Sequence, residues 1–186
     1  DTATHLPRDL ADVVGVVTQD PLMGFVADTV EEELAFALEQ LGLPRAVMRT
    51  RVEEVLDLLA LAPLRNRALS QLSGGEQQRV AIGAVLTAQP KVLVLDEPFS
   101  GLDPVAVDVM SQVLRQRAAD GVPVVFSSHQ LDLVERLCDR VGVISAGQMA
   151  AVGTIDEPRT TPTPRWRIIG TAPRGWADGI PGTHVR

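Results

Sequence analysis

Leu72-Ser73-Gly74-Gly75-Glu76-Gln77-Gln78-Arg79, followed after a short helical stretch by Val92-Leu93-Val94-Leu95-Asp96-Glu97-Pro98, decides how the chain is read. A serine and two glycines at a helix start can present a hydroxyl and backbone N–H groups to anionic oxygens. The helix dipole adds the equivalent of roughly half a positive charge there. An apolar strand that ends in two carboxylates can hold a metal and activate water. Each half also has a plainer reading. Ser73 and Glu76 have the spacing of a capping box, which accounts for both without a ligand, and Asp96-Glu97-Pro98 can be an acidic turn at a strand end. Capping leaves the double glycine and Gln77-Gln78-Arg79 without a reason.

The flanking segments set these motifs in an alternating pattern. Upstream, Val13-Val14-Gly15-Val16-Val17 reads as a short buried strand that Thr18-Gln19-Asp20-Pro21 ends in a loop. Thr29 and Glu32 have capping-box spacing, and Val30, Leu34, Leu38 and Leu41 recur at helical intervals on one face. Gly42 and Pro44 punctuate that helix. Val52, Val55, Leu56 and Leu59 mark a second one, closed by Pro63. Ser73 opens the third. Then come a strand Val92 to Leu95, a helix from Pro104, a strand Val122 to Phe126, a helix from Leu131 and a strand Val141 to Ile144. Such alternation predicts a parallel sheet with crossover helices and both faces buried. The helices between Thr29 and Gln89 would form a separate lobe. Beyond Gly153 the prolines 158, 162 and 164 among threonines predict a linker over 156–164. One more strand, Arg165 to Gly170, would then begin a small accessory segment, 165–186, containing Trp166 and Trp176.

Composition narrows the function classes. The chain has 186 residues, enough for one domain of ordinary size, and its 45% hydrophobic content can build a core. A formal charge of −7 argues against a general nucleic-acid binder, which needs a concentrated basic surface. Cys138 is the single cysteine, so no intrachain disulfide forms and a reducing compartment is the simpler reading. No apolar run approaches the roughly 18 residues that suggest a membrane span. No clustered Cys/His spacing suggests zinc, and no nucleophile elbow suggests a serine hydrolase. His5 and His184 have no context that assigns them a role.

Taken together and in this order, the two motifs resemble the nucleotide-binding domain of ABC ATPases, whose signature reads LSGGQ or LSGGE, over about residues 10 to 155. The resemblance implies an α/β fold: a P-loop NTPase-like core with a mostly parallel sheet plus a helical signature lobe, here about 26–89 of a partial domain spanning 1–155. It implies ATP and Mg²⁺ as cofactors. Val92 to Glu97 is similar to a Walker B strand, so Asp96 would hold Mg²⁺, chiefly through its water shell, and Glu97 would face the attacking water as general base. Gln19 resembles the Q-loop glutamine that senses Mg²⁺ and water; a solvated loop amide is the plainer alternative. Ser73, Gly74, Gly75, Glu76 and Gln77 would act across a dimer interface on the γ-phosphate held by the other subunit. Asp103 resembles the D-loop aspartate and is also a good N-cap before Pro104. His129, after Ser127-Ser128, resembles the switch histidine that contacts the γ-phosphate.

The same resemblance predicts a second ABC ATPase subunit, identical or not, and a separate integral membrane transport subunit as partners. The chain would lie in the cytoplasm on the inner face of the cell membrane. No nucleic-acid partner is expected. The first half, with Val16 to Pro21 and Val80-Ala81-Ile82-Gly83, is similar to energy-coupling-factor importer ATPases. The second, with Ser127 to Glu135, resembles multidrug or antibiotic exporter ATPases. No Gly-x-x-x-x-Gly-Lys-Ser/Thr loop occurs, and Lys91 is the only lysine. The expectation is a domain cut at its N-terminus, incomplete there and inactive alone. The family as a whole implies an ATPase. The alternatives are a non-hydrolysing half that donates its signature to a partner's site, or a soluble ABC protein of repair or translation.

Overall fold

The computed structural model describes Leu10 and residues 13–155. The expected linker, the strand Arg165 to Gly170, the accessory segment, His5 and His184 lie outside the described residues. Five α-helices and five strands follow one another along the described chain: β1 (Val14–Val17), α1 (Val30–Gln40), α2 (Arg45–Leu58), α3 (Gly74–Thr87), β2 (Val92–Leu95), α4 (Pro104–Ala119), β3 (Val124–Phe126), α5 (Leu131–Leu137), β4 (Arg140–Ser145) and β5 (Gln148–Thr154).

The first three strands form one parallel sheet in the order β1-β2-β3, with Val17 beside Leu95 and Leu95 beside Phe126. Side chains alternate across such a ribbon. Val17, Leu93 and Leu95 point into the core. Gly15 shares that face because β1 lies hard against α3: a Cβ there would come within 2.3 Å of a Val85 methyl and 2.9 Å of the Pro90 ring. The opposite row does not match the expectation of a sheet buried on both faces. Val16, Val94 and Val125, neighbours in register across three strands, are 57%, 37% and 58% exposed. The core gathers on one side, where α3 packs on β1 and where Met110, Val113 and Leu114 of α4 and Leu133 of α5 are buried.

A second difference concerns the last predicted strand. Val141 to Ile144 does not join the parallel sheet; β4 pairs antiparallel with β5, from Arg140 beside Thr154 to Ser145 beside Gln148. Ala146 and Gly147, at φ 49° and 75°, make the connection. Two successive left-handed residues give the tight turn whose twist suits an antiparallel ribbon.

The helices α1 to α3 follow their apolar spacing. Val30, Leu34 and Leu38 of α1 are fully buried, as are Leu56 of α2 and Val80 and Ile82 of α3. Their core is continuous with the one under the sheet. Leu41, expected on the α1 face, falls just past the helix end and is exposed. Helix α2 stops before Pro63 is reached: Leu59 ends it, Ala60 turns left-handed at φ 52°, and the Arg79 guanidinium donates to the Leu59 carbonyl at 2.9 Å. Two buried polar side chains tie neighbouring elements together. The Thr87 hydroxyl reaches the carbonyls of Leu34 (3.0 Å) and Ala84 (2.8 Å), tying α3 to α1. Glu33, also buried, accepts from the N–H groups of Val26 and Ala27, both at 2.9 Å, and so fixes the segment that leads into α1.

Candidate functional site

The parallel register brings the three strand ends to one edge of the sheet, and four of the sequence-predicted residues follow directly from them. Gln19 lies two residues beyond β1, Asp96 and Glu97 directly follow β2, and His129 lies three beyond β3. The Asp96 N–H donates to the Val17 carbonyl at 2.9 Å and the Ser127 N–H to the Leu95 carbonyl at 3.0 Å, so the ladder extends past the last strand residues and holds the tips in step. Gln19 is exposed at this edge.

At the tip of β2 the backbone turns sharply. Glu97 adopts φ 47°, a left-handed conformation that costs a non-glycine residue of order 1–3 kcal/mol. The turn is braced from below, where buried Phe99 meets Phe126 edge-on with ring centroids 5.6 Å apart. It is braced from the side by Ser127, whose hydroxyl accepts from the Glu97 N–H at 2.9 Å and donates to Asp96 Oδ1 at 2.5 Å. The turn delivers the Glu97 carboxylate to His129: Nδ1 and Oε1 are 2.9 Å apart. The two groups differ in access, the His129 side chain being 75% exposed and that of Glu97 18%. The other carboxylate oxygen, Oε2, is buried and has no hydrogen-bond partner among the described residues. A carboxylate oxygen in that state has spare accepting capacity, which a general base requires.

The glycine-led helix start is built differently. Ser73 caps α3, and its hydroxyl and N–H both donate to Glu76 Oε2, at 2.9 and 2.7 Å. Those bonds, with Arg67 and Arg79 nearby, hold the Glu76 carboxyl below the usual carboxylate range, the Ser73 N–H contributing most. Gln77 is turned inward: its amide donates to the Leu69 carbonyl at 3.1 Å, so the side chain is occupied within the lobe and is not open to a ligand. Gly74 is exposed, with open space where a Cβ would stand, whereas Gly75 faces the carbonyl oxygen of Gly101, which a Cβ would approach to 2.8 Å. This contact joins the signature helix to the turn before Asp103. Asp103 caps α4, accepting from the Ala106 N–H at 2.9 Å, with Pro104 in the first turn.

Among the described residues no cluster of three or more His, Cys, Asp or Glu could hold a metal by itself. Asp96 is exposed at the sheet edge and commits one oxygen to Ser127. One open carboxylate beside a second with an unshared oxygen fits Mg²⁺, which keeps several waters and takes few protein ligands when phosphates supply the rest. No helix is long and apolar enough to cross a membrane among the described residues.

Sequence reasoning passed over three residues that hold this region. Ser127 is one; its only signal is its place just past a strand end. Glu33 is another. The third is Arg65, which pairs with Glu53 and, at 3.0 Å, with Glu31, and so ties the segment between α2 and α3 to both α1 and α2. That contact lowers the Glu53 carboxyl and raises the Arg65 guanidinium.

Comparison with known proteins places these features. The sequence profile of the ABC transporter family matches residues 3–100. An ABC transporter ATP-binding protein of provisional description from Streptomyces avermitilis is 57% identical over 159 residues, covering 84% of this chain and 28% of that protein. The energy-coupling factor transporter ATP-binding protein EcfA of Methanoculleus marisnigri is 44% identical over 156 residues, 83% of this chain and 56% of its own length. Among solved structures, a dimeric ATP-binding cassette in a post-hydrolysis state, bound to ADP and Pi, superposes with a TM-score of 0.75 at 25% identity, covering 83% of this chain and 69% of that one. The chain thus spans between about a quarter and about two thirds of the length of the curated relatives it matches. With a family profile over more than half of its length and relatives this similar, the chain belongs to the ABC transporter family.

Proposed function

We propose that this chain is part of the ATP-binding subunit of an ABC transporter and that it hydrolyses Mg²⁺-bound ATP at an interface between two such subunits, driving transport through a separate membrane subunit. One observation carries the reading: Glu97, one oxygen on His129 and the other buried and unshared, stands beside an exposed Asp96 at the sheet edge. When bound, Mg²⁺ would neutralise charge on the β- and γ-phosphate oxygens. Asp96 would hold the ion through its free oxygen and water. Glu97 would take the proton of the water attacking the γ-phosphorus as ADP leaves. His129, on the same carboxylate, would keep Glu97 oriented. Gln19 would supply an amide to the same water or to the ion's shell.

Gly74 and Gly75, just after Ser73 at the start of α3, would present N–H groups to the triphosphate held by the second subunit. Glu76 keeps Ser73 in place for this, and Asp103, tied to that start through the Gly75 and Gly101 contact, would lie at the same interface. Gln77 would contribute only by anchoring the helix from within. The dimer in the post-hydrolysis cassette structure supports the arrangement.

The test uses the full-length protein that contains this sequence. ATPase activity in Mg²⁺ should fall by about 10²–10⁴-fold in Glu97→Gln while nucleotide binding persists. Full activity in that variant would sink the hydrolytic assignment. Activity in neither protein, with the signature start still raising nucleotide binding by a second ABC subunit, would favour the non-hydrolysing alternative.

A further inference from the structure

We infer that Ser127 is a positioning residue of the hydrolytic site, holding the Asp96 carboxylate and the Glu97 turn in one fixed relation. The inference rests on the functional reading above and adds a residue to it. A serine hydroxyl has one proton to give and two lone pairs to receive. Ser127 uses both kinds of bond at once: its proton goes to Asp96 Oδ1 at 2.5 Å, and its oxygen receives the Glu97 N–H at 2.9 Å. Its own backbone N–H is fixed to the Leu95 carbonyl at 3.0 Å, immediately before these two residues. The hydroxyl is therefore anchored to the strand whose end it organises.

Each bond answers a specific need. The Glu97 N–H is turned aside from the ladder by the left-handed φ of 47°, and Ser127 gives it an acceptor, which stabilises a conformation that Glu97 would otherwise leave. Asp96 is exposed and its carboxylate could rotate about two side-chain bonds; a charge-assisted bond to Oδ1 holds one oxygen and does not engage Oδ2. Phe126, the neighbour of Ser127, packs edge-on against Phe99, so both loops rest on one aromatic pair. Ser128 has a different partner: its hydroxyl accepts from the Gln130 N–H at 3.1 Å. The two adjacent serines divide the work. Ser127 serves the carboxylates, and Ser128 shapes the loop that leads into α5.

The test compares Ser127→Ala, Ser127→Thr and Ser128→Ala in the full-length protein. In Ser127→Ala the kcat of ATP hydrolysis should fall about tenfold, the effect of one charge-assisted hydrogen bond, with the KM for ATP nearly unchanged. The Mg²⁺ concentration for half-maximal rate should rise several-fold. Ser127→Thr, which keeps the hydroxyl, should restore kcat to within about twofold, and Ser128→Ala should stay within the same margin. A readout without turnover accompanies these: the rise in melting temperature on adding Mg²⁺ to protein bound to a non-hydrolysable ATP analogue should shrink in Ser127→Ala, while the rise given by the analogue alone persists. If Ser127→Ala does not fold, Ser127→Cys, close in shape but a poor hydrogen-bonding group, takes its place with the same expected losses. Wild-type kcat and Mg²⁺ dependence in Ser127→Ala, or an equal loss in Ser128→Ala, would overturn the inference. Glu97→Gln run in parallel separates the two failures: an active Glu97→Gln removes the hydrolytic reading itself, whereas an inactive one beside an intact Ser127→Ala removes only the role of Ser127.

Discussion

The strand tips and the start of α3 both matched ligand-binding patterns in sequence, yet their hydrogen bonding differs in kind. At the helix start Ser73 and Glu76 close a capping box, and Gln77 is spent on the Leu69 carbonyl. What stays open there is backbone, at Gly74 and Gly75. At the strand tips the reverse holds. Backbone groups are paired across the ladder or with Ser127, while Glu97 Oε2 has no partner among the described residues. An unshared carboxylate oxygen thus distinguishes one place and open glycine backbone the other. A general base needs the first, and recognition of a phosphate needs only the second.

Four substitutions break or sharpen this contrast. Glu97→Gln should have the largest effect, on turnover alone: about 10²–10⁴-fold lost from ATP hydrolysis, with urea-unfolding stability within about 0.5 kcal/mol of wild type. A large stability loss would show that Glu97 is structural. Gly75→Ala comes next. Alanine usually favours a helix over glycine by roughly 1 kcal/mol, but its methyl would press on the Gly101 carbonyl, so a net loss of about 1–3 kcal/mol in chemical denaturation is expected. A gain would mean that the junction between α3 and the Asp103 turn is loose. Ser73→Ala should cost about 1 kcal/mol as a lost N-cap, with ATP hydrolysis reduced far less than in Glu97→Gln. Parity between the two in turnover would show that the Ser73 hydroxyl itself meets substrate.

The smallest effect is that of pH on Glu76. Its carboxyl titrates lower in the fold than its ordinary value of 4.5, chiefly because the Ser73 N–H favours the ionised form. Stability from this group is thus complete above the unfolded pKa and disappears as pH falls through the lower folded one. The stability gap between wild type and Glu76→Gln should be a few tenths of a kcal/mol at neutral pH and shrink as pH falls below 4.5. A gap that widened on acidification would reverse the assignment.

Much of this was legible in the chain because it is local. The run Val92 to Leu95 and the Ser73 to Glu76 spacing each fix an element through neighbours no more than four residues away, and both elements formed as read. The uncovered row Val16, Val94 and Val125 was not legible: an apolar run states that a strand can be buried on both faces, and only tertiary packing decides whether it is. The β4 and β5 hairpin was missed because an apolar run after a helix fits a parallel strand equally well, and Ala146 carries no sign of its left-handed φ. In the site, strand ends could be found from the pattern, but the bonds of Ser127 to Asp96 and Glu97 join residues 31 and 30 positions apart, which no spacing rule reaches.

Glu33 has a mechanical consequence. By clasping two successive amides of the stretch between Gln19 and α1, a single side chain removes the slack from that connection. A tug at the sheet edge must then tilt the first turn of α1 instead of merely straightening a loop, so the joint behaves as a taut coupling and not as a hinge.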